Sequence, residues 1–266
     1  MRNIRFLFSA TIFCICLLLL ATAVSAQPPT PRPTRPAAAA PAATPTPFNA
    51  VREADRLFSH GEDAARDRQA LETVERALTS DAQNYDLLWR QARACYYVGD
   101  EAAASDKLKF FERGIAAGQK AVALRANGVE GHFWLGVAYG GFSEVKGALK
   151  ALQTVKKIRA EMETVLKLNA AYEDGNAYLA LGEMDRELPR LFGGDIKRSI
   201  SYLEKGLSVA PRNTNLKLAL AKSYIEAGRR DEARRQLEEI LQTPVNPAHS
   251  KEQKSVQEKA RKLLDQ

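Results

Sequence analysis

The same pattern of small and apolar residues closes one helix after another along this chain, and it limits the fold more than any other feature of the sequence. It reads Ala70, Val74, Ala77 and Ala82, then Gly114, Gly118, Ala121 and Ala126. It returns as Ile158, Met162, Val165 and Ala170, as Ser199, Leu203, Gly206 and Pro211, and as Ala233, Leu237, Ile240 and Val245. Steps of three and four keep each set on one helical face, and small side chains there let a neighbouring helix come close. From residue 48 onward Pro is sparse and no run shows the strict alternation of a strand, so the fold is all-α.

First helices carry a complementary signal: Leu135-Gly136 then Tyr139, Leu179-Ala180, and Leu220-Ala221 then Tyr224. Together these are the signature of tetratricopeptide-type helical hairpins, about five of them stacked as a solenoid over residues 48–247. The last unit, residues 214–247, has the usual length of roughly 34 residues. Closing positions Ala82, Ala126 and Ala170 instead lie 44 residues apart. The surplus falls at residues 99–109 and 141–153, where the pattern stays helical, so longer second helices are expected rather than long loops. Residues 248–266 place Val256, Ala260, Leu263 and Leu264 on one face and read as the capping helix that a solenoid end requires. Gly114-x-x-x-Gly118 and Gly136-x-x-x-Gly140 fall on the small positions the repeat demands, which explains them without a membrane dimer.

Ahead of the repeats, Arg2 and Arg5, the apolar run Phe6–Leu20 and the small residues Val24-Ser25-Ala26 read as a signal peptide over residues 1–26. The alternative is an uncleaved anchor, because Phe6–Ala26 is uncharged and roughly 20 residues span a bilayer. No Cys stands at the cleavage point to take a lipid. The chain is therefore expected to be periplasmic or otherwise extracytoplasmic. Residues 27–47, rich in Pro, Ala and Thr, read as an extended, disordered linker. With the leader removed, Cys95 is the lone cysteine, so no intramolecular disulfide is available.

Net charge is +7, but all 32 acidic residues and only 35 of the 39 basic ones follow residue 47, leaving the repeats at +3. That balance, with signs alternating along the helices, excludes the basic footprint of a nucleic-acid binder. His60, His132 and His249 lie in different units without metal-ligand spacing, and no cofactor fingerprint or nucleophile motif occurs. The expected function is binding without catalysis, metal or cofactor. The register of the first helices points Trp89, Arg93, Tyr96, Tyr97, Phe133, Val137, Leu181, Met184, Leu218 and Ile225 at the concave face. A contiguous apolar groove of this kind suits a hydrophobic ligand or an inserted partner segment, unless other parts of the chain fold over it.

From about Lys107 onward the sequence resembles the TatT-like T-component family of TRAP transporters. The resemblance rests on Phe111–Gly118, Gly131–Gly140, Glu161–Leu166 and above all Leu188-Pro189-Arg190-Leu191-Phe192-Gly193-Gly194-Asp195. It implies a soluble extracytoplasmic helical component, shaped with an apolar cavity or pore, that partners a substrate-binding protein and hands on a hydrophobic small molecule. Assembly as a homo-oligomer is a separate expectation. A general envelope scaffold is the competing expectation. The motif turn is expected between the two helices of the fourth unit, with Leu191 and Phe192 packed inward, Gly193 and Gly194 at backbone angles closed to other residues, and Asp195 capping the next helix.

Overall fold

The computed structural model describes residues 47–146 and 148–266. The leader at 1–26 and the linker at 27–47 lie outside them, except for Pro47, which opens the first helix. The described residues form α1 (Pro47–Leu57), α2 (Ala64–Leu78), α3 (Tyr85–Glu101), α4 (Ala104–Leu124), α5 (Val129–Lys146), α6 (Ala148–Asn169), α7 (Asn176–Glu187), α8 (Ile196–Val209), α9 (Thr214–Glu226), α10 (Arg230–Gln242) and α11 (Ser250–Leu264). Consecutive helices pack as five antiparallel hairpins, with α11 laid against α9 and α10 at the end of the stack.

Local chemistry sets the helix boundaries. Asp63, Asn84, Asp195 and Asn213 each sit just outside a helix and accept hydrogen bonds from amides of its first turn, satisfying donors that have no partner within the helix. The surplus length of the middle units is helical, as expected. It is shared, however: α4 has 21 residues and α6 has 22, while the first helix α5 also grows to 18, against 13 for α9 and for α10. Close approach follows from the small positions. A Cβ on Gly118 would stand 2.9 Å from the Leu135 Cβ, so α4 and α5 meet where the repeat pattern put its glycine. Cys95 is fully buried at the same kind of contact, and burial pushes its thiol up to about 12, which leaves it inert.

The motif turn does join α7 to α8, but its tip faces the other way. Leu191 is 88% exposed and Phe192 is 48% exposed, whereas Leu188 takes the inward position. The inner side of the turn is taken by charged groups. The buried carboxylate of Asp185 pairs there with Arg159 and Arg198, Arg198 also donates to the Gly193 carbonyl at 2.5 Å, and the Asp195 amide donates to the Asp185 carbonyl at 2.8 Å.

The two glycines also divide their work. Gly193 takes the left-handed angle, φ 92°, with open space around it. Gly194 does not; it is required because an added Cβ would lie 1.7 Å from the Leu188 carbonyl oxygen. We therefore expect Gly194→Ala to cause the largest drop in melting temperature. Gly193→Ala should cost about 1 kcal/mol for its positive φ, and Asp195→Ala should lower the midpoint by roughly 2–4 °C as a lost cap. Scanning calorimetry of the three variants checks the order.

Candidate functional site

The face expected to be an open apolar groove is core. Trp89, Arg93, Tyr96, Tyr97, Phe133, Val137, Leu181, Met184 and Leu218 are all buried, and Ile225 is half-buried in the core that α9, α10 and α11 share. At the last unit α11 packs on α9 beside Leu218 and Ile225. Over α3 and α5 two connecting segments cover the face. The loop after α1 lays Phe58 on Tyr97 at 5.0 Å, and the turn after α6 lays Tyr172 on Phe133 at 5.3 Å. Arg93 is held in the same cover, stacked 3.8 Å over Phe58 while donating to Asp55 at 2.8 Å. A repeat pattern marks which helical residues face inward but says nothing about what loops do above them.

Those same covering segments wall a polar chamber of about 470 Å³. Its first wall is the loop at His60, pinned from below by the buried Asp67 carboxylate. That carboxylate accepts from the Ser59 amide at 2.7 Å, the Ser59 hydroxyl at 2.9 Å and the Gly61 amide at 2.9 Å. The second wall is the turn at Glu173 and Asp174. The third is the α8–α9 connection, where Asn213 caps α9 and also donates to the Asp174 carbonyl at 2.8 Å. The fourth is the start of α11, where Glu252 accepts from Asn215 at 2.6 Å.

The chamber exists because the stack closes on itself. Glu62, beside the first wall, accepts from the Lys251 amide at 3.0 Å, and the Lys251 ammonium donates to the Glu62 carbonyl at 2.5 Å. Across this seam the rings of His60 and His249 stand 4.9 Å apart.

Backbone strain is concentrated here. His60 at φ 55°, Glu173 at φ 50° and Asp174 at φ 53° are the non-glycine residues with positive φ among those described, and all three line the chamber. Such angles cost of order 1 kcal/mol each and tend to persist where function holds them. Burial pushes the Glu173 carboxyl up and the His60 imidazole down to about 4, with His249 also lowered by burial. At neutral pH both imidazoles are uncharged. Each has its Nδ1 buried without a hydrogen-bond partner, which is not the arrangement that orients a general base. Among the described residues, no three His, Cys, Asp or Glu side chains converge as a metal site.

Sequence spacing singled out neither Glu173 nor Asp174, and it left His60 and His249 as isolated residues. Their contact links positions nearly two hundred residues apart, which no local spacing reports. A second polar cluster lies on the same side of the stack. Glu183 on α7 interacts electrostatically with Lys222 on α9 and Lys259 on the capping helix α11, and Glu187 interacts with Glu183 and Lys222.

These features define a class: a tetratricopeptide-type helical repeat protein closed by a capping helix. A family model described as tetratricopeptide repeat matches residues 193–251. The model described as Regulator of microtubule dynamics protein 1-3 matches residues 50–187, just over half of the chain, and the chain belongs to that family. The crystal structure of TTC0263, a thermophilic tetratricopeptide protein of Thermus thermophilus, is 20% identical. It matches with a TM-score of 0.61 over 82% of this chain and 99% of that one, a likeness of fold alone. MamA from Desulfovibrio magneticus RS-1 is 16% identical over 72% of this chain and 94% of its own, but its TM-score of 0.48 is too loose to build on. No curated protein matches.

One titration is expected to be measurable. Burial, and then the like charge of Glu183 one turn earlier, push the Glu187 carboxyl from 4.5 up to about 7. The folded state then holds this proton more tightly than the unfolded state. The Glu187 contribution to stability falls as pH rises from about 4.5 to about 7, by about 3 kcal/mol at most, while that of His60, lowered to about 4, rises over nearly the same window. Glu187→Gln should remove the falling contribution, so that in urea melts across the window the variant gains stability relative to the unaltered chain as pH rises.

Proposed function

We propose that this protein is an extracytoplasmic, non-catalytic interaction module that grips a basic segment of another envelope protein in the chamber at its seam. The observation that carries this reading is the gathering of the three strained non-glycine residues onto one cavity, built by loops from both ends of the stack. Helical repeat stacks are binding surfaces rather than reaction vessels, and the chamber has an acidic balance. Glu173, Asp174 and Glu252 face a single arginine, Arg212, with both imidazoles neutral. A Lys or Arg side chain of the partner would offset Glu173, whose burial is otherwise only partly compensated by Arg93.

The narrower form of this proposal makes the partner the substrate-binding protein of a TRAP-type transporter, on the strength of the Leu188–Asp195 motif. A gene for such a protein and a membrane permease beside this one would support it. A hydrophobic small ligand fits less well, because the apolar residues that would have held it contact one another. The family name speaks of microtubule dynamics, but an exported chain meets no tubulin, so we carry over its architecture and not that role.

Photo-crosslinking in the host envelope from a probe at Arg212 tests the proposal. We expect one protein adduct, reduced about tenfold by Asp174→Asn, which removes a charge and keeps a side chain that tolerates this backbone angle. An adduct insensitive to that change, or an apolar molecule co-purifying in its place, would refute the assignment.

A further inference from the structure

We propose that the turn between α7 and α8 is a membrane-contact tip, inserting Leu191 and Phe192 into the interface of an anionic bilayer. Large apolar side chains exposed elsewhere among the described residues, at Leu124, Val145, Leu168 and Val209, are isolated in sequence; Leu191 and Phe192 are adjacent and crown one turn. The turn is not floppy. The Phe192 amide donates to the Pro189 carbonyl at 2.8 Å, the Gly194 amide donates to the same carbonyl at 3.2 Å, and the Gly193 amide donates to the Arg190 carbonyl at 3.1 Å. Beneath them the buried Asp185 locks Arg159 and Arg198 against the turn. A rigid frame thus holds two apolar side chains out in water, an arrangement that water alone does not favour.

Shape and charge select the partner. Leu191 and Phe192 stand outward, and open space surrounds Gly193 next to them. A protein partner would need a pocket cut to fit, whereas the fluid interface of a bilayer closes around any small wedge. Charges at the turn are Arg159, Arg190, Lys197 and Arg198 against Asp185 and Asp195, a net +2. Arg190 and Lys197 are exposed beside the apolar pair. An apolar tip with a basic rim complements anionic headgroups.

The test uses the full chain and a reporter local to the tip, so that the N-terminal apolar segment cannot supply the signal. In Phe192→Trp, fluorescence is followed with vesicles of brominated phosphatidylcholine, with and without phosphatidylglycerol. Trp89 and Trp134 are buried and give a background measured in the unaltered chain. We expect quenching of the new tryptophan by the anionic vesicles and little by the neutral ones. Adding Arg190→Gln and Lys197→Gln should weaken the quenching-derived partition roughly 30-fold. An unquenched tip while the chain sediments with anionic vesicles would overturn the proposal, as would quenching indifferent to phosphatidylglycerol and to the two Gln substitutions.

Discussion

A stack of helical hairpins is open at both ends by nature, and what most distinguishes this one is that its ends touch. The Glu62 carboxylate and carbonyl meet the amide and ammonium of Lys251. Nothing in a single hairpin produces that contact. It is the sum of small rotations between units, each set by how closely neighbouring helices approach at their small residues. Lengthening α4, α5 and α6 changes where the later units arrive. The chamber, the pairing of His60 with His249 and the burial of the loop at Phe58 all follow from that accumulated geometry.

Polar burial is spent in few places. Asp67 holds the covering loop by accepting three hydrogen bonds, and Asp185 holds the α7–α8 turn through two arginines. Both are buried charges, which stabilise little on net but fix one conformation over its alternatives when every acceptor is met. The Glu183 and Glu187 pair on α7 is the opposite case. Two carboxyls one turn apart share a half-buried face with Lys222 and Arg186, and the balance leaves one of them titrating near neutrality.

Features governed by neighbours along the chain are legible in the residues themselves. The hairpin count, the capping helix, the helical nature of the surplus residues and the Asp195 cap rest on spacing, on packing between adjacent helices, or on one side chain meeting its own backbone. Direction is harder to read: Leu191 and Phe192 look like core residues in composition, yet the space below their turn has gone to Asp185, Arg159 and Arg198, which come from three different helices. The apolar face of the first helices is a contiguous surface, as its spacing indicates, but Phe58 and Tyr172 cover it from loops that carry no repeat pattern. The left-handed backbone at Glu173 has no signal at all, since glutamate is not a residue that favours it.

The seam also dictates an order of assembly. Hairpins along the stack need only their immediate neighbours and can form as soon as both helices exist, whereas the contact between Glu62 and Lys251 bridges 189 residues. The first hairpin must therefore wait, already folded, for the last helix to arrive. Until it does, the acidic lining of the chamber stays dispersed over walls that have not met. A chain emerging amino end first during synthesis would thus complete its repeats progressively, and close its chamber only when its final helix has docked.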